Sequence, residues 1–373
     1  MHYPASYPAT SDARDRFVLE ARGPRPHHDP WRYQDLIVED ERTADGATTR
    51  VGTVFLTGRE CPWRCVMCDL WRGTTAGDTP RGAIAAQVAA ARRELRRRAG
   101  LGASARSVDP VDPLDDVTQM KLYNAGSFFD PRAVPAADYD EIAAHLAGLQ
   151  RVIVESHPAL IGPRVDRFLD ALDRASLGRK RTDLEVAMGL ETAHPAALER
   201  LHKRMTIDDF AAAAGALRRR GVALRVFVLV APPFVPAGEQ DAWLLRSIDA
   251  AFDCGAGVVS LVPTRSGNGA MEALTEADEF HQPHLEDIER SVESALAHGL
   301  CRRRIFVDVW GLDRFAECAR CLDSRRARLH AMNLEQRVLP RVSCTHCGSA
   351  GREEPAAPTT PSATGHPAVT AGS

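Results

Sequence analysis

The sequence predicts an α/β protein: a partial (βα)6 barrel of the TIM-like kind, followed by a small C-terminal metal-binding module. Three observations carry that reading. Short apolar, β-branched runs alternate with helical stretches through most of the chain, which argues a parallel sheet with right-handed crossovers. A chain of 373 residues with 44% hydrophobic content has the material to bury a core of that size. Most of its 9 cysteines fall into two local clusters, one after the first barrel strand and one near the C-terminus.

The elements follow in order. Residues 1–30, rich in Pro, Ser, His and charge, read as a disordered leader that joins the fold near Trp31. Residues 51–57 read as a buried strand running into the first cysteines. Residues 81–98 form an Ala-rich helix with Pro80 at its start and Gly100 beyond its end, and its basic close suits the negative end of the helix dipole. A Pro/Asp-rich connection, residues 108–116, comes next.

Strands are then expected at 119–124, 151–155, 184–190, 222–230 and 257–262, separated by helices at 138–149, 163–175, 195–205, 208–219 and 242–252. Thr206 caps the helix at 208–219 and Gly221 closes it. With the first strand this makes six βα units, and residues 304–310 are a candidate seventh strand. The expected division is a leader at 1–30, the barrel at 31–310, a four-cysteine module at 311–350 and a disordered Pro/Ala/Thr/Ser-rich tail at 351–373.

The net charge of −3 gives no overall pull toward nucleic acid, so any such contact needs a local basic patch. No stretch approaches the roughly 20 apolar residues that cross a bilayer, and the N-terminus has no apolar signal region, so a cytoplasmic location is expected. In that compartment cysteines serve as metal ligands or reduced thiols rather than disulfides. Cys254 and Cys301 stand outside the clusters and read as core or incidental thiols.

In Glu60-Cys61-Pro62-Trp63-Arg64-Cys65-Val66-Met67-Cys68-Asp69 the spacing is Cx3Cx2C. Three thiolates this close wrap one corner of an iron–sulfur cube, whereas clusters held by protein alone use four. The missing ligand leaves one iron open, and an open coordination position is where a metal site acts on a bound molecule. A zinc knuckle or a group of reduced thiols is the alternative.

Barrel sites lie at the C-terminal ends of strands. There the chain places Tyr123-Asn124-Ala125-Gly126-Ser127, whose small residues let backbone approach a ligand. Glu155 and Glu191 end the third and fourth strands and face one cavity, with Arg204 of Leu-His-Lys-Arg-Met as a helix-borne partner. A structural ion pair to Arg204 is the alternative for either carboxylate. His157, before a proline, also fits a simple turn cap, and Gly267, Asn268 and Gly269 make a turn at the sixth strand's end.

The Cx3Cx2C loop after a first strand resembles the radical S-adenosylmethionine (SAM) superfamily. Glu155-Ser-His-Pro158, Val230-Ala-Pro-Pro-Phe234 and Arg265-Ser-Gly-Asn-Gly-Ala-Met-Glu272 are similar to its Elongator-catalytic-subunit-like branch, and within that to the archaeosine-synthesis group. The resemblance covers about residues 50–275 and departs at Met67, where the family carries an aromatic residue, and at Asn124–Ser127, where it carries Gly-Gly-Glu.

It implies a 4Fe-4S cluster on Cys61, Cys65 and Cys68. SAM would chelate the open iron and be split reductively to a 5'-deoxyadenosyl radical. The SAM-site candidates are Asn124, Ala125, Gly126, Ser127, Glu155, Glu191 and Arg204, and no residue is singled out as catalytic. The resemblance further implies a tRNA or RNA substrate and an electron donor such as flavodoxin or ferredoxin. The alternatives are the same chemistry on a small-molecule metabolite, or a non-catalytic iron–sulfur and zinc binding protein.

Cys318-Ala-Arg-Cys321 and Cys344-Thr-His-Cys347 form a second set of the type that closes a tetrahedral zinc site, with an auxiliary iron–sulfur cluster as the alternative. Arg325, Arg326, Arg328, Arg337 and Arg341 lie between the pairs, and Arg320 lies inside the first. They read either as a phosphate-binding patch or as a solvated helix face.

Overall fold

A computed structural model of the chain describes residues 7–98, 117–124, 126–298 and 303–348. The sheet begins with a hairpin in which β1 (Asp35–Arg42) pairs antiparallel with β2 (Thr48–Leu56). From β2 onward every pairing is parallel: β3 (Val117–Asn124), β4 (Arg151–Glu155), β5 (Asp183–Glu191), β6 (Ala223–Val230), β7 (Val258–Pro263) and β8 (Arg304–Val307), in sequence order. The six expected barrel strands are β2 to β7, and the candidate seventh is β8.

The strand that sequence patterning missed is β1. Its Asp-Leu-Ile-Val-Glu-Asp-Glu-Arg run hides the usual alternation because the barrel face of this strand is charged. Glu39 and Glu41 both pair with Lys121 of β3, at 2.7 and 2.8 Å. Arg225 of β6 reaches Glu41 at 3.2 Å although five strand spacings, roughly 24 Å in a flat sheet, separate the two strands. The sheet is therefore curled into an open barrel with a charged floor.

The helices cover its outside. Before β1 lies α1 (Ser11–Glu20); the crossovers carry α2 (Ala83–Arg98), α3 (Tyr139–Leu146), α4 (Pro163–Ala175), α5 (Pro195–Arg200), α6 (Ile207–Arg219), α7 (Gln240–Asp253), α8 (Ala270–Glu276) and α9 (Leu285–Ala297). Met120, Leu122, Val152, Val154, Val186, Met188, Val226 and Val228 point outward into one apolar core with these helices. The opposite face holds Phe55, Tyr123, Ile153, Ala187 and Phe227 in the lumen. Thr206 caps α6 as expected, in a capping box with Asp209, and Gly221 turns the chain after it with φ +68°.

Two expectations change. The stretch read as a disordered leader contains α1, and Tyr7, Phe17, Val18 and Ala21 are buried against Val66, Leu201 and Met271. Its polar composition conceals one apolar stripe, which only these distant partners make useful. The four-cysteine module is also not set apart: α10 (Ala319–Glu335) lies along the exposed edge of β8. There Asn333 exchanges two hydrogen bonds with the Val307 backbone, 2.8 and 2.9 Å, and Gln336 two with Ile305, 2.7 and 2.8 Å. These side-chain amides stand in for the neighbouring strand that an edge lacks. Cys254 is half-buried just after α7; Cys301, the 108–116 connection and the 351–373 tail lie outside the described residues. Among the described residues no helix is long and apolar enough to cross a membrane.

Candidate metal and cofactor site

Cys61, Cys65 and Cys68 lie on the loop that leaves the C-terminal end of β2, as expected. Gln87 of α2 fixes the loop's start, accepting from the Thr57 N–H and donating to its carbonyl, both at 2.8 Å. Val66 is fully buried and its N–H donates to the Leu201 carbonyl at 3.1 Å. Asn268 donates to the carbonyls of Val66, 2.7 Å, and Cys68, 3.2 Å. Arg265, at the end of β7, holds Asp69 at 2.9 and 3.2 Å. From the N-terminal segment Arg22 and Arg25 both clasp Glu60.

Burial pushes the thiols of Cys61, Cys65 and Cys68 up to about 12. Without metal they are neutral, and metal binding must release their protons. Backbone N–H groups of Trp63 and Leu70 already point at the sulfurs of Cys61 and Cys68, which favours thiolate there. This donor set fits an iron centre: three desolvated sulfurs, and no fourth cysteine of the described residues on the loop.

The strand ends bring the expected partners together unequally. Glu191 is buried, sits at φ +68° after a register shift in β5, and pairs with Lys203. Gly189 makes that pair possible, because a Cβ there would strike both the Glu191 carboxylate and the Lys203 ammonium. Burial works against the Lys203 charge, but Glu191 and Cys65 hold its pKa above the ordinary lysine value. Arg204 does not join this site; it pairs with Asp15 of α1 at 2.5 Å. His202 and Arg204 both adopt left-handed backbone, φ +61° and +56°, which turns Lys203 inward and its neighbour outward. The basic partner of Glu191 is thus Lys203, one position before the Arg204 singled out from sequence.

Glu155 ends β4, and its carbonyl accepts from Phe128 N–H at 2.9 Å. Gly126 and Ser127 are buried at the end of β3, and Ser127 Oγ accepts from the His157 backbone N–H at 2.9 Å. Ala125 and the Asn124 side chain lie outside the described residues. His157 caps its turn, as one reading expected, with Nδ1 accepting from Ala159 N–H at 3.1 Å. That leaves Nε2 to donate to the Lys203 carbonyl at 3.0 Å. Burial, then Lys203, pushes the imidazole pKa down to about 3. Its ring stacks on Trp63 of the cysteine loop, centroids 3.7 Å apart. Trp63 and Lys203 were not picked out from sequence; a tryptophan between two cysteines of one short loop was the available signal.

Below the loop the lumen holds a cavity of about 100 Å³ lined by Tyr123, Phe227, Phe306, Trp310 and Asp308. Burial pushes the Asp308 carboxyl up to about 6, against a hydrogen bond from Trp310 N–H at 2.8 Å.

The second cysteine set also assembles. The sulfurs of Cys318, Cys321, Cys344 and Cys347 all lie within 4.8 Å of one another, and those of Cys321 and Cys347 are 3.9 Å apart. The arginines read as a phosphate patch are largely committed elsewhere: Arg325 to Glu289, Arg328 to Glu289 and Glu293, Arg341 to Glu293 and Glu286. Arg326 pairs with Asp323 and Arg337 with Glu335, while Arg320 is exposed. The three-residue spacing of Arg325 and Arg328 put them on one helix face, but that face meets acidic α9 rather than solvent.

A three-cysteine loop at the C-terminal end of the first parallel strand of an open barrel is the arrangement of the radical SAM class of enzymes, and the sequence similarity below supports that assignment for this chain. In particular it is similar to archaeosine synthase subunit beta of Methanosarcina acetivorans, 24% identical over 301 residues that make up 76% of this chain and 78% of that protein. No protein-family model matches the chain. Solved structures also overlap it, among them these two. Archaeal Elp3 from Methanocaldococcus infernus covers 70% of the chain at 13% identity and TM-score 0.47. The radical SAM enzyme coproporphyrinogen III oxidase (HemN) from Escherichia coli covers 67% at 14% identity and TM-score 0.41. The chain spans 60% of the first and 51% of the second.

Proposed function

We propose that Cys61, Cys65 and Cys68 hold three irons of a 4Fe-4S cluster whose open iron takes SAM, and that the substrate is a tRNA or RNA base. The observation that carries the metal assignment is the set of three desolvated thiols on one loop without a fourth cysteine. When bound, the cluster and SAM supply a 5'-deoxyadenosyl radical that abstracts a hydrogen atom from substrate.

The chain's own residues bind and orient. Lys203 and Glu191 present both signs of charge beside Cys65, which suits the carboxylate and ammonium of an amino acid group. Gly126 and Ser127, with Asn124, Ala125 and Glu155, form the rest of the SAM wall. Trp63 and His157 keep the loop's shape, and a neutral His157 adds no charge there. Electrons would come from a flavodoxin or ferredoxin. The barrel of residues 31–310 is the catalytic unit, located in the cytoplasm, and 311–350 is its metal-braced closure.

For that closure we favour a single zinc ion. Four thiolates at about 2.3 Å from one tetrahedral ion lie roughly 3.8 Å apart, close to the sulfur separations here, whereas a cube spreads its ligands over four irons. Metal analysis of Cys318→Ser/Cys321→Ser and Cys61→Ser/Cys65→Ser proteins tests both sites: the first should lose zinc and keep iron, the second the reverse. Loss of iron from the first would make the module an auxiliary cluster.

The similarity to an archaeosine synthase subunit supports the RNA substrate. The internal pairing of Arg325, Arg328 and Arg341 favours the second reading, a small-molecule metabolite, because it removes the module's phosphate patch. Anaerobic incubation with SAM and dithionite, adding total tRNA or a metabolite extract in turn, separates them. Deoxyadenosine should rise above the uncoupled background with tRNA. A rise only with metabolites overturns the RNA reading, and no SAM cleavage by a cluster-loaded sample overturns the enzyme chemistry.

A further inference from the structure

Two exposed arginines meet at the mouth of the barrel. Arg72 lies four positions after Cys68, on the short helical turn Leu70–Gly73; Arg314 lies on the turn Leu312–Phe315 that follows β8. Both reach toward Gly267: the position a Cβ would take there is 3.8 Å from Arg314 Nη1 and 4.0 Å from Arg72 Nη1. Neither arginine has an acidic partner within 4 Å among the described residues.

Three of the neighbouring acids are already committed. Asp69 is held by Arg265, Glu60 by Arg22 and Arg25, and Glu272 accepts from the N–H groups of Gly267, 2.5 Å, and Gly269, 2.7 Å. Asp313, beside Arg314, is the exposed acid closest in sequence. The backbone beneath is set: Gly267 has φ +119°, and the Gly269 Cβ position is blocked by the Ala21 carbonyl of the chain following α1. The main chains under both arginines are tied as well, the Arg72 carbonyl to His28 Nε2 at 2.6 Å and the Arg314 carbonyl to Gln282 Nε2 at 3.0 Å.

We propose that Arg72 and Arg314 clamp one backbone phosphate of an RNA substrate at the barrel mouth, an inference that rests on the RNA reading above. Guanidinium donors on two oxygens of one phosphate, each at about 2.8 Å, stand roughly 5–7 Å apart; nitrogens 3.8 and 4.0 Å from one point are at most about 7.8 Å apart, so both can reach one phosphate. A contact there positions the strand without reading its sequence and leaves a base to enter the lumen. It moves the phosphate contact from the four-cysteine module, whose arginines are mostly paired, to the rim beside the cysteine loop.

The test is binding of fluorescently labelled tRNA by the cluster-loaded protein, followed by anisotropy across a series of KCl concentrations. For Arg72→Ala/Arg314→Ala the affinity should fall about tenfold at moderate salt, and the slope of log K against log salt should become shallower by about one. Arg179→Ala, between α4 and β5 at the opposite end of the barrel, should change neither. If the alanine protein loses iron, Arg72→Gln/Arg314→Gln keeps side-chain length and replaces it. Wild-type affinity and slope in an iron-loaded double variant overturn the clamp and leave the RNA reading intact. Absence of tRNA binding by wild-type protein at low salt overturns the RNA reading, and the clamp with it.

Discussion

Asn268 ties the turn after β7 to the cysteine loop: its Nδ2 donates to the Val66 and Cys68 carbonyls, and its Oδ1 accepts from Met271 N–H at 2.8 Å. The side chain is 2% exposed, so Asn268→Ala leaves carbonyls without their partner in a dry place. The expected cost is about 1–3 kcal/mol. Iron retained after gel filtration should fall together with the urea midpoint. A variant that kept full iron and an unchanged midpoint would show the loop to be held elsewhere.

His157 makes stability depend on pH in a definite direction. Its folded pKa, about 3, lies below the ordinary histidine value of 6.5, so protons bind the unfolded chain first. Stability from this group is present above pH 6.5 and is lost as pH falls from there toward 3. Between pH 7 and pH 5 the wild-type protein should lose about 2 kcal/mol more than His157→Gln, because each pKa unit is worth about 1.4 kcal/mol. Parallel denaturant titrations at the two pH values measure the difference, and equal losses would place the histidine in solvent.

The Glu191–Lys203 pair is buried, so removing one partner strands the other. Lys203→Met should cost about 3–5 kcal/mol in thermal or denaturant unfolding, and Gly189→Ala should be destabilising as well because its methyl enters the space of the pair. Arg204→Ala removes only a half-exposed contact to Asp15 and should cost less than about 1 kcal/mol. A larger loss for Arg204 than for Lys203 would reverse the assignment.

Asn333 and Gln336 should protect the edge of β8. In Asn333→Ala/Gln336→Ala the amides of Ile305 and Val307 should exchange hydrogen roughly 2- to 10-fold faster, each having lost a bond worth about 1 kcal/mol. Amides in β5, inside the sheet, are the control. Unchanged exchange at Ile305 and Val307 would mean that α10 does not seal the edge.

Strands β2 to β8 were legible because their outward faces are uninterrupted apolar runs, which the helix layer demands. The same periodicity was absent from β1, where Glu39 and Glu41 serve a charged lumen, and from α1, whose few apolar residues meet partners some 50 to 250 positions away. The three-cysteine loop was readable because three thiols on one short loop need no tertiary information to be neighbours. Lys203 and Arg204 show the limit: adjacent, chemically alike residues are separated only by the left-handed turns around them.

By itself, then, the sequence determined the order of elements, both cysteine sets and the likeness to radical SAM enzymes, since each depends on local spacing or on a repeat that persists along the chain. The tertiary structure alone decided which charges are spent and which are available. It paired Arg325, Arg328 and Arg341 with acids of α9, gave Glu191 to Lys203, and left Arg72 and Arg314 together at the mouth. A charge's role depends on what lies within a few ångströms of it, and those neighbours come from distant parts of the chain.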